Sequence, residues 1–231
     1  MIKGIAKVLS KTPSFILKPS IKGVVNYYLK KYAKINIHNK ERLSQIEGPV
    51  IFISNHLSNA DGLLLNKVLK KHNPYFVAGV KLNSTDISKI GLEVVNIIPI
   101  KAGSADVEAL KKCIQAIKEK KNILIFPEGT RSRTASMIEG KKGIVLIARK
   151  ANVPIVPIGM WGSENLMPIN DDNMGEESFK SADVNISIGE PFELPKFNKG
   201  EDKEEYSNNC LNMIMKSISS LLPEEYRGIY K

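Results

Sequence analysis

A histidine and an aspartate five residues apart, in the run Asn55-His56-Leu57-Ser58-Asn59-Ala60-Asp61, are the first residues whose types suit catalysis. On one continuous helix their side chains would point about 140° apart and would not meet. With His56 in a turn and Asp61 in the first turn of a following helix, the carboxylate reaches the imidazole. That contact fixes the tautomer and leaves the second ring nitrogen to accept a proton. No Gly-x-Ser-x-Gly elbow and no Walker-type phosphate loop accompanies the pair. The pair therefore suggests direct general-base catalysis, in which His56 takes a proton from a substrate hydroxyl that then attacks an acyl group. Taken alone, the two residues favour a plainer reading, a structural histidine with Asp61 as a helix cap.

The second constellation is Phe126-Pro127-Glu128-Gly129-Thr130-Arg131-Ser132. Gly129 allows close backbone approach, and Arg131 can grip a phosphate bidentately. Glu128 can accept a hydrogen bond from a polyol hydroxyl. The plainer reading is a polar loop in which Glu128 and Arg131 pair with each other, a contact of little energetic consequence when exposed.

Together the two motifs, with Val153-Pro154-Ile155-Val156-Pro157-Ile158 after them, resemble the glycerolipid acyltransferase family, and most closely the 1-acyl-sn-glycerol-3-phosphate acyltransferases. The first motif is similar to that family's His-x4-Asp box, and the resemblance runs from about residue 35 to 190 in the expected order. It implies transfer of a fatty acyl group from a thioester, acyl-CoA or acyl carrier protein, to the free sn-2 hydroxyl of a lysophosphatidic acid. His56 would be the base and Asp61 its orienting partner. Glu128 and Arg131, with Lys101 in support, would position the glycerol phosphate, and Gly129 would give the backbone room. Thr130 is a weaker member of this set. No cofactor is expected beyond the thioester co-substrate. One departure stands out: where similar proteins often end a strand with an arginine, Asn96-Ile97-Ile98-Pro99-Ile100 is followed by Lys101. A lysine keeps the charge and loses the fork geometry, which leaves glycerol 3-phosphate or another lysophospholipid open as the acceptor. A non-catalytic lipid-binding protein is the alternative from another class.

These residues need elements to hold them, and both motifs follow a strand-like run: Val50 to Ile53 before the first, Asn122 to Phe126 before the second. Further strands are expected at Tyr75 to Ala78, Val94 to Ile100, Pro154 to Ile158 and Val184 to Ile188. Helices are expected at Asp61 to Lys71, from a Ser104 cap to about Lys120 with Val107, Leu110, Ile114 and Ile117 on one face, at Lys141 to Lys150, and at Lys203 to Leu222. The alternation predicts an α/β fold with a central sheet and puts both motifs on loops at strand ends; the resemblance implies that this is a central mixed β-sheet flanked by helices.

Ahead of this domain (35–231) lies an arm, residues 1–34. Nine lysines and no acid fall within the first 40 residues of a chain with net charge +10. The remainder carries 25 basic against 24 acidic residues. Ile2, Ile5 and Leu9 share one face of a short first helix. Pro13 and Pro19 predict a break, after which Ile21, Val24, Val25, Tyr28, Leu29 and Tyr32 follow the i, i+3, i+4, i+7 spacing, opposite Lys22, Asn26, Lys30 and Lys34. A basic, apolar and tyrosine-bearing helix suits an anionic membrane surface, although the same face would also pack on the domain. No apolar run is long enough to span a bilayer, and no signal peptide is expected. The expected site of action is the cytoplasmic face of the cell membrane, reached peripherally or monotopically. Nucleic-acid binding is not expected, because the charge sits on an amphipathic arm and no recognition motif is present.

Three histidines and two cysteines make no zinc spacing, so no metal is expected. Cys113 falls on an apolar stripe and reads as core. His38 and His72 read as exposed, and Trp161 as packing. The acid-rich stretch after residue 171 reads as solvated surface.

Overall fold

The computed structural model describes residues 14–79, 95–101, 106–170 and 177–231. Its strands in chain order are β1 (Ala33–His38), β2 (Ile51–Ser54), β3 (Tyr75–Gly79), β4 (Asn96–Ile100), β5 (Ile123–Ile125), β6 (Ile155–Trp161) and β7 (Ala182–Ile188). The helices are α1 (Ser14–Tyr32), α2 (Asp61–Val68), α3 (Val107–Lys118), α4 (Gly143–Ala151), the short α5 (Ser163–Leu166) and α6 (Lys203–Ser219).

Strand β2 is buried along its whole length, as an apolar run covered on both faces must be. Alternation of its side chains divides the interior. Phe52 joins Leu29, Leu64, Leu65 and Val156 on one face of the sheet. Ile51 and Ile53 join Cys113, Ile117, Val145 and Ile214 on the other. Helices α1 and α2 thus cover one face, and α3, α4 and α6 the other, giving the helix-flanked sheet expected from the sequence.

Among the described residues the sheet has seven strands in the order β1-β7-β6-β2-β5-β3-β4. β6 and β7 pair antiparallel, and every other neighbouring pair is parallel, so the sheet is mixed. The parallel neighbours β6, β2 and β5 therefore end at one edge, and the loops leaving β2 and β5 carry the two motifs side by side.

The arm departs from expectation. Helix α1 runs unbroken through Pro19, where a break was expected. A proline there removes only one intrahelical bond, to the carbonyl of Phe15, close to the helix start where donors lack partners in any case. Beyond it Ile21, Val25 and Leu29 are buried against the domain. Each contributes about 2 kcal/mol by leaving water. Part of the apolar face thus packs inward, while Val24 and Tyr27 stay 43% and 61% exposed. Tyr28 and Tyr32 stack with Phe179, at centroid distances of 5.5 and 6.3 Å. The helix expected around Ile2 to Leu9 lies outside the described residues.

Three smaller differences have local causes. The Ser104 cap lies outside the described residues, and the cap of α3 is Asp106, whose carboxylate accepts a hydrogen bond from Ala109 N at 3.0 Å. The buried face of α3 is Ala109, Cys113, Ala116 and Ile117, so Val107 turns to solvent. His72 is half-buried, edge-on to Phe52. Cys113 is core as expected, and burial pushes its thiol up to about 11, which makes it a poor nucleophile.

Candidate active site

Where β2 ends, Asn55 fixes the direction of the chain. Its fully buried amide donates to Met160 O at 2.7 Å and accepts from Met160 N at 2.8 Å. The side chain thus continues the β2–β6 ladder for one residue, and the next residue, His56, leaves the sheet into the turn. The imidazole stacks on Phe126, at the end of β5, with centroids 4.1 Å apart and planes 15° from parallel.

Asp61 is the first residue of α2 and has no exposed surface. It does not cap that helix. Its carboxylate turns back into the loop, where Oδ2 accepts from Leu57 N at 2.6 Å, from Ser58 N at 2.8 Å and from His56 Nδ1 at 2.7 Å. Because a carboxylate oxygen only accepts here, Nδ1 carries the proton and Nε2 holds the lone pair. The histidine side chain is 20% exposed. Such an arrangement can take a proton from a hydroxyl arriving from solvent and stabilise the resulting imidazolium. The other oxygen, Oδ1, is buried without a hydrogen-bond partner.

Glu128 comes from the loop after β5 and is also fully buried. Its Oε1 accepts from His56 N at 3.3 Å and its Oε2 from Ile138 N at 3.4 Å. Burial pushes the carboxyl up to about 8, with the charge of Asp61 adding to the shift and the two backbone donors opposing it. Glu128 and Arg131 do not pair with each other. Glu128 faces inward onto the backbone of the histidine loop.

Gly129 adopts φ +70° within a tight turn, with Gly129 N donating to Phe126 O at 3.0 Å. An added Cβ would meet only Lys141 Cγ, at 3.5 Å, an ordinary contact. The left-handed backbone is itself a reason for glycine here, because an L side chain is strained at this φ whatever the space around it. Thr130 is exposed, and Ser132 N donates to His56 O at 2.8 Å, tying the two motif loops together. Arg131 Nη1 contacts Glu177 Oε1 at 2.9 Å.

Lys101 follows β4 at the same edge of the sheet. Its backbone is three strand spacings from β2, roughly 14 Å, and its N–H donates to Asp106 Oδ2 at 2.8 Å. The Val153–Ile158 segment is largely β6, buried as expected, and through Met160 the same strand supports Asn55. Trp161, expected to pack, is half-buried against His38 at 5.5 Å.

Sequence reasoning missed Asn55 and Glu177. Asn55 carried a signal, an amide at the mouth of a wholly apolar strand, where a buried polar group must find partners. Glu177 carried none: it is one acid in an acid-rich stretch.

The Acyltransferase family model matches residues 34–161 of this chain. The chain is 27% identical over 162 residues to the chloroplastic 1-acyl-sn-glycerol-3-phosphate acyltransferase BAT2 of Brassica napus, covering 69% of this chain and 45% of that protein. It is 26% identical over 192 residues to a 1-acyl-sn-glycerol-3-phosphate acyltransferase of Bacillus subtilis, covering 82% and 90%. The chain thus spans about half the length of the first relative and most of the second. A crystal structure of the 1-acyl-sn-glycerophosphate acyltransferase PlsC of Thermotoga maritima shares the fold, with a TM-score of 0.64 at 22% identity over 90% of this chain and 80% of that one.

Proposed function

We propose an activity for this chain, which belongs to the Acyltransferase family: transfer of a fatty acyl group from a thioester to the sn-2 hydroxyl of 1-acyl-sn-glycerol 3-phosphate. The observation that carries it is the 2.7 Å contact between His56 Nδ1 and a buried Asp61, which leaves Nε2 as a proton acceptor. The names of the relatives supply the substrate class.

His56 Nε2 takes the hydroxyl proton as the oxygen attacks the thioester carbonyl carbon. The tetrahedral intermediate collapses with loss of the C–S bond, and the imidazolium returns its proton to the departing thiolate. Phosphatidic acid and a free thiol, from acyl-CoA or acyl carrier protein, are the products. Asp61 holds the ring and offsets its transient charge. Glu128 acts from behind, propping the histidine loop, while Arg131 takes the acceptor's phosphate with Lys101 in support. Gly129 shapes that loop, and exposed Thr130 lies at its rim.

The acceptor is drawn from a membrane surface. Among the described residues no helix is long and apolar enough to cross a membrane. The lysine-bearing α1, with Val24 and Tyr27 exposed, supports a surface contact with anionic lipid on the cytoplasmic face. A second reading, acylation of glycerol 3-phosphate or another lysophospholipid, rests on Lys101, whose ammonium keeps the charge but lacks the fork geometry of an arginine.

The test is an acyl-transfer assay on anionic vesicles with lysophosphatidic acid, offering acyl-CoA and acyl carrier protein donors in parallel. Phosphatidic acid formed by the wild type and lost in His56→Ala is expected. Turnover of another acceptor alone supports the second reading. A fully active His56→Ala variant would refute the mechanism.

A further inference from the structure

Asn59, Arg131 and Glu177 come from three separate segments: the histidine loop, the loop after β5, and the excursion between β6 and β7. They meet at one buried carboxylate. The Glu177 side chain has no exposed surface, and Arg131 beside it is 14% exposed. Glu177 Oε1 accepts from Arg131 Nη1 at 2.9 Å and from Asn170 N at 3.2 Å. Its Oε2 accepts from Asn59 Nδ2 at 2.5 Å. A carboxylate taken out of water is stable only when charged and hydrogen-bonding partners answer both of its oxygens, and here they do.

The segment that carries Glu177 is itself held. Phe179 packs on Tyr28 and Tyr32 of α1, and Lys180 N donates to Leu166 O at 2.8 Å. Ser58 Oγ donates to Met167 O at 2.9 Å, a second tie between the excursion and the histidine loop. Glu177 is therefore a fixed point against which a long side chain can be set.

We propose that Glu177 is a positioning residue for the acceptor's anionic headgroup, fixing the Arg131 guanidinium relative to the His56–Asp61 loop through Asn59. The proposal rests on the reading above that Arg131 takes the phosphate. An arginine side chain has considerable rotamer freedom, and holding one edge of its fork in advance lowers the cost of presenting another to a ligand. The effect falls on acceptor binding and not on the chemical step, because Glu177 touches neither His56 nor Asp61. The opposite device, a carboxylate that competes with phosphate for Arg131, would leave a buried carboxylate without its charged partner whenever substrate arrives.

The two ideas differ in sign, so one experiment separates them. Glu177→Gln keeps the shape and removes the charge; Glu177→Ala removes the strut and serves as the second variant. With lysophosphatidic acid varied at saturating acyl donor, Glu177→Gln is expected to raise the acceptor KM about tenfold or more. Its kcat should stay within about twofold and its donor KM should not move. Combined with Arg131→Ala, it should add nothing to the loss from Arg131→Ala alone. A lowered acceptor KM, a fall confined to kcat, or additive losses would overturn the proposal. Phenylglyoxal labelling of Arg131, read by peptide mass spectrometry, needs no substrate. Faster labelling in Glu177→Gln than in wild type is expected, and equal rates would overturn the proposal. If the wild type does not turn over lysophosphatidic acid, the activity reading fails, and the labelling rate still decides the role of Glu177.

Discussion

Glu128 Oε1 lies 3.3 Å from the backbone nitrogen of His56, so a buried acid props the loop of the histidine from within the protein. Its carboxyl, normally near 4.5, is pushed up to about 8 by burial. The folded state thus holds a proton that the unfolded state has released across that interval. Stability from this group is complete below about 4.5 and is lost as pH rises towards and through about 8. Glu128→Gln, which cannot ionise, is expected to flatten the decline. Urea denaturation at pH 5, 7 and 9 checks it: the wild type should weaken relative to the variant with rising pH, and parallel curves would refute the buried-acid account.

Asp61 makes a second, separable prediction. In Asp61→Asn, the amide oxygen can keep the bonds from Leu57 N, Ser58 N and His56 Nδ1, and the amide nitrogen takes the site of the unpartnered Oδ1. The cost in stability is expected to be about 1–2 kcal/mol, for one new unsatisfied donor. Catalysis should suffer far more, because the imidazolium loses its counter-charge: kcat is expected to fall roughly a thousandfold or more. Steady-state rates alongside thermal melts test this, and a variant within tenfold of wild type would remove Asp61 from the mechanism.

Much of this arrangement was legible in the sequence. Uninterrupted apolar runs mark β2 and β5, and the motif after each identifies the edge of the sheet where the chemistry gathers. What stayed hidden has physical causes. The spacing of His56 and Asp61 permits their contact but does not say that Oδ2 also collects two backbone donors, since that depends on the turn. Nothing in Phe126–Ser132 reveals that Glu128 points inward while Arg131 reaches a partner 46 residues away. Periodicity gave α1 an apolar face, but its division into buried Ile21, Val25 and Leu29 and exposed Val24 and Tyr27 depends on where the domain lies.

Gly129 offers a test of conformation against crowding. At φ +70° an alanine is strained, and its Cβ would only touch Lys141 Cγ at 3.5 Å. Gly129→Ala is expected to cost about 1–2 kcal/mol, Gly129→Asn clearly less, since asparagine tolerates the left-handed region. Adding Lys141→Ala should not restore what Gly129→Ala loses. Denaturant titrations of the three variants measure this directly, and rescue by Lys141→Ala would show that space, not backbone, sets the requirement.

The outward side of α1 gives the last prediction. Val24 and Tyr27 remain 43% and 61% exposed on a helix whose Ile21, Val25 and Leu29 are committed to the core. Replacing both with serine removes apolar surface that the fold does not use, so the melting temperature should hardly move. If this side rests on lipid, the same change removes buried area and should weaken binding to anionic vesicles about tenfold. Reversing Lys30 and Lys31 to glutamate should weaken it further and reduce its salt dependence, because each lysine near an anionic surface adds about 1 kcal/mol. Vesicle sedimentation at low and high salt reads both effects. Unchanged binding of the serine variant would move the membrane contact away from α1, and loss of folding would show that these side chains serve the domain instead.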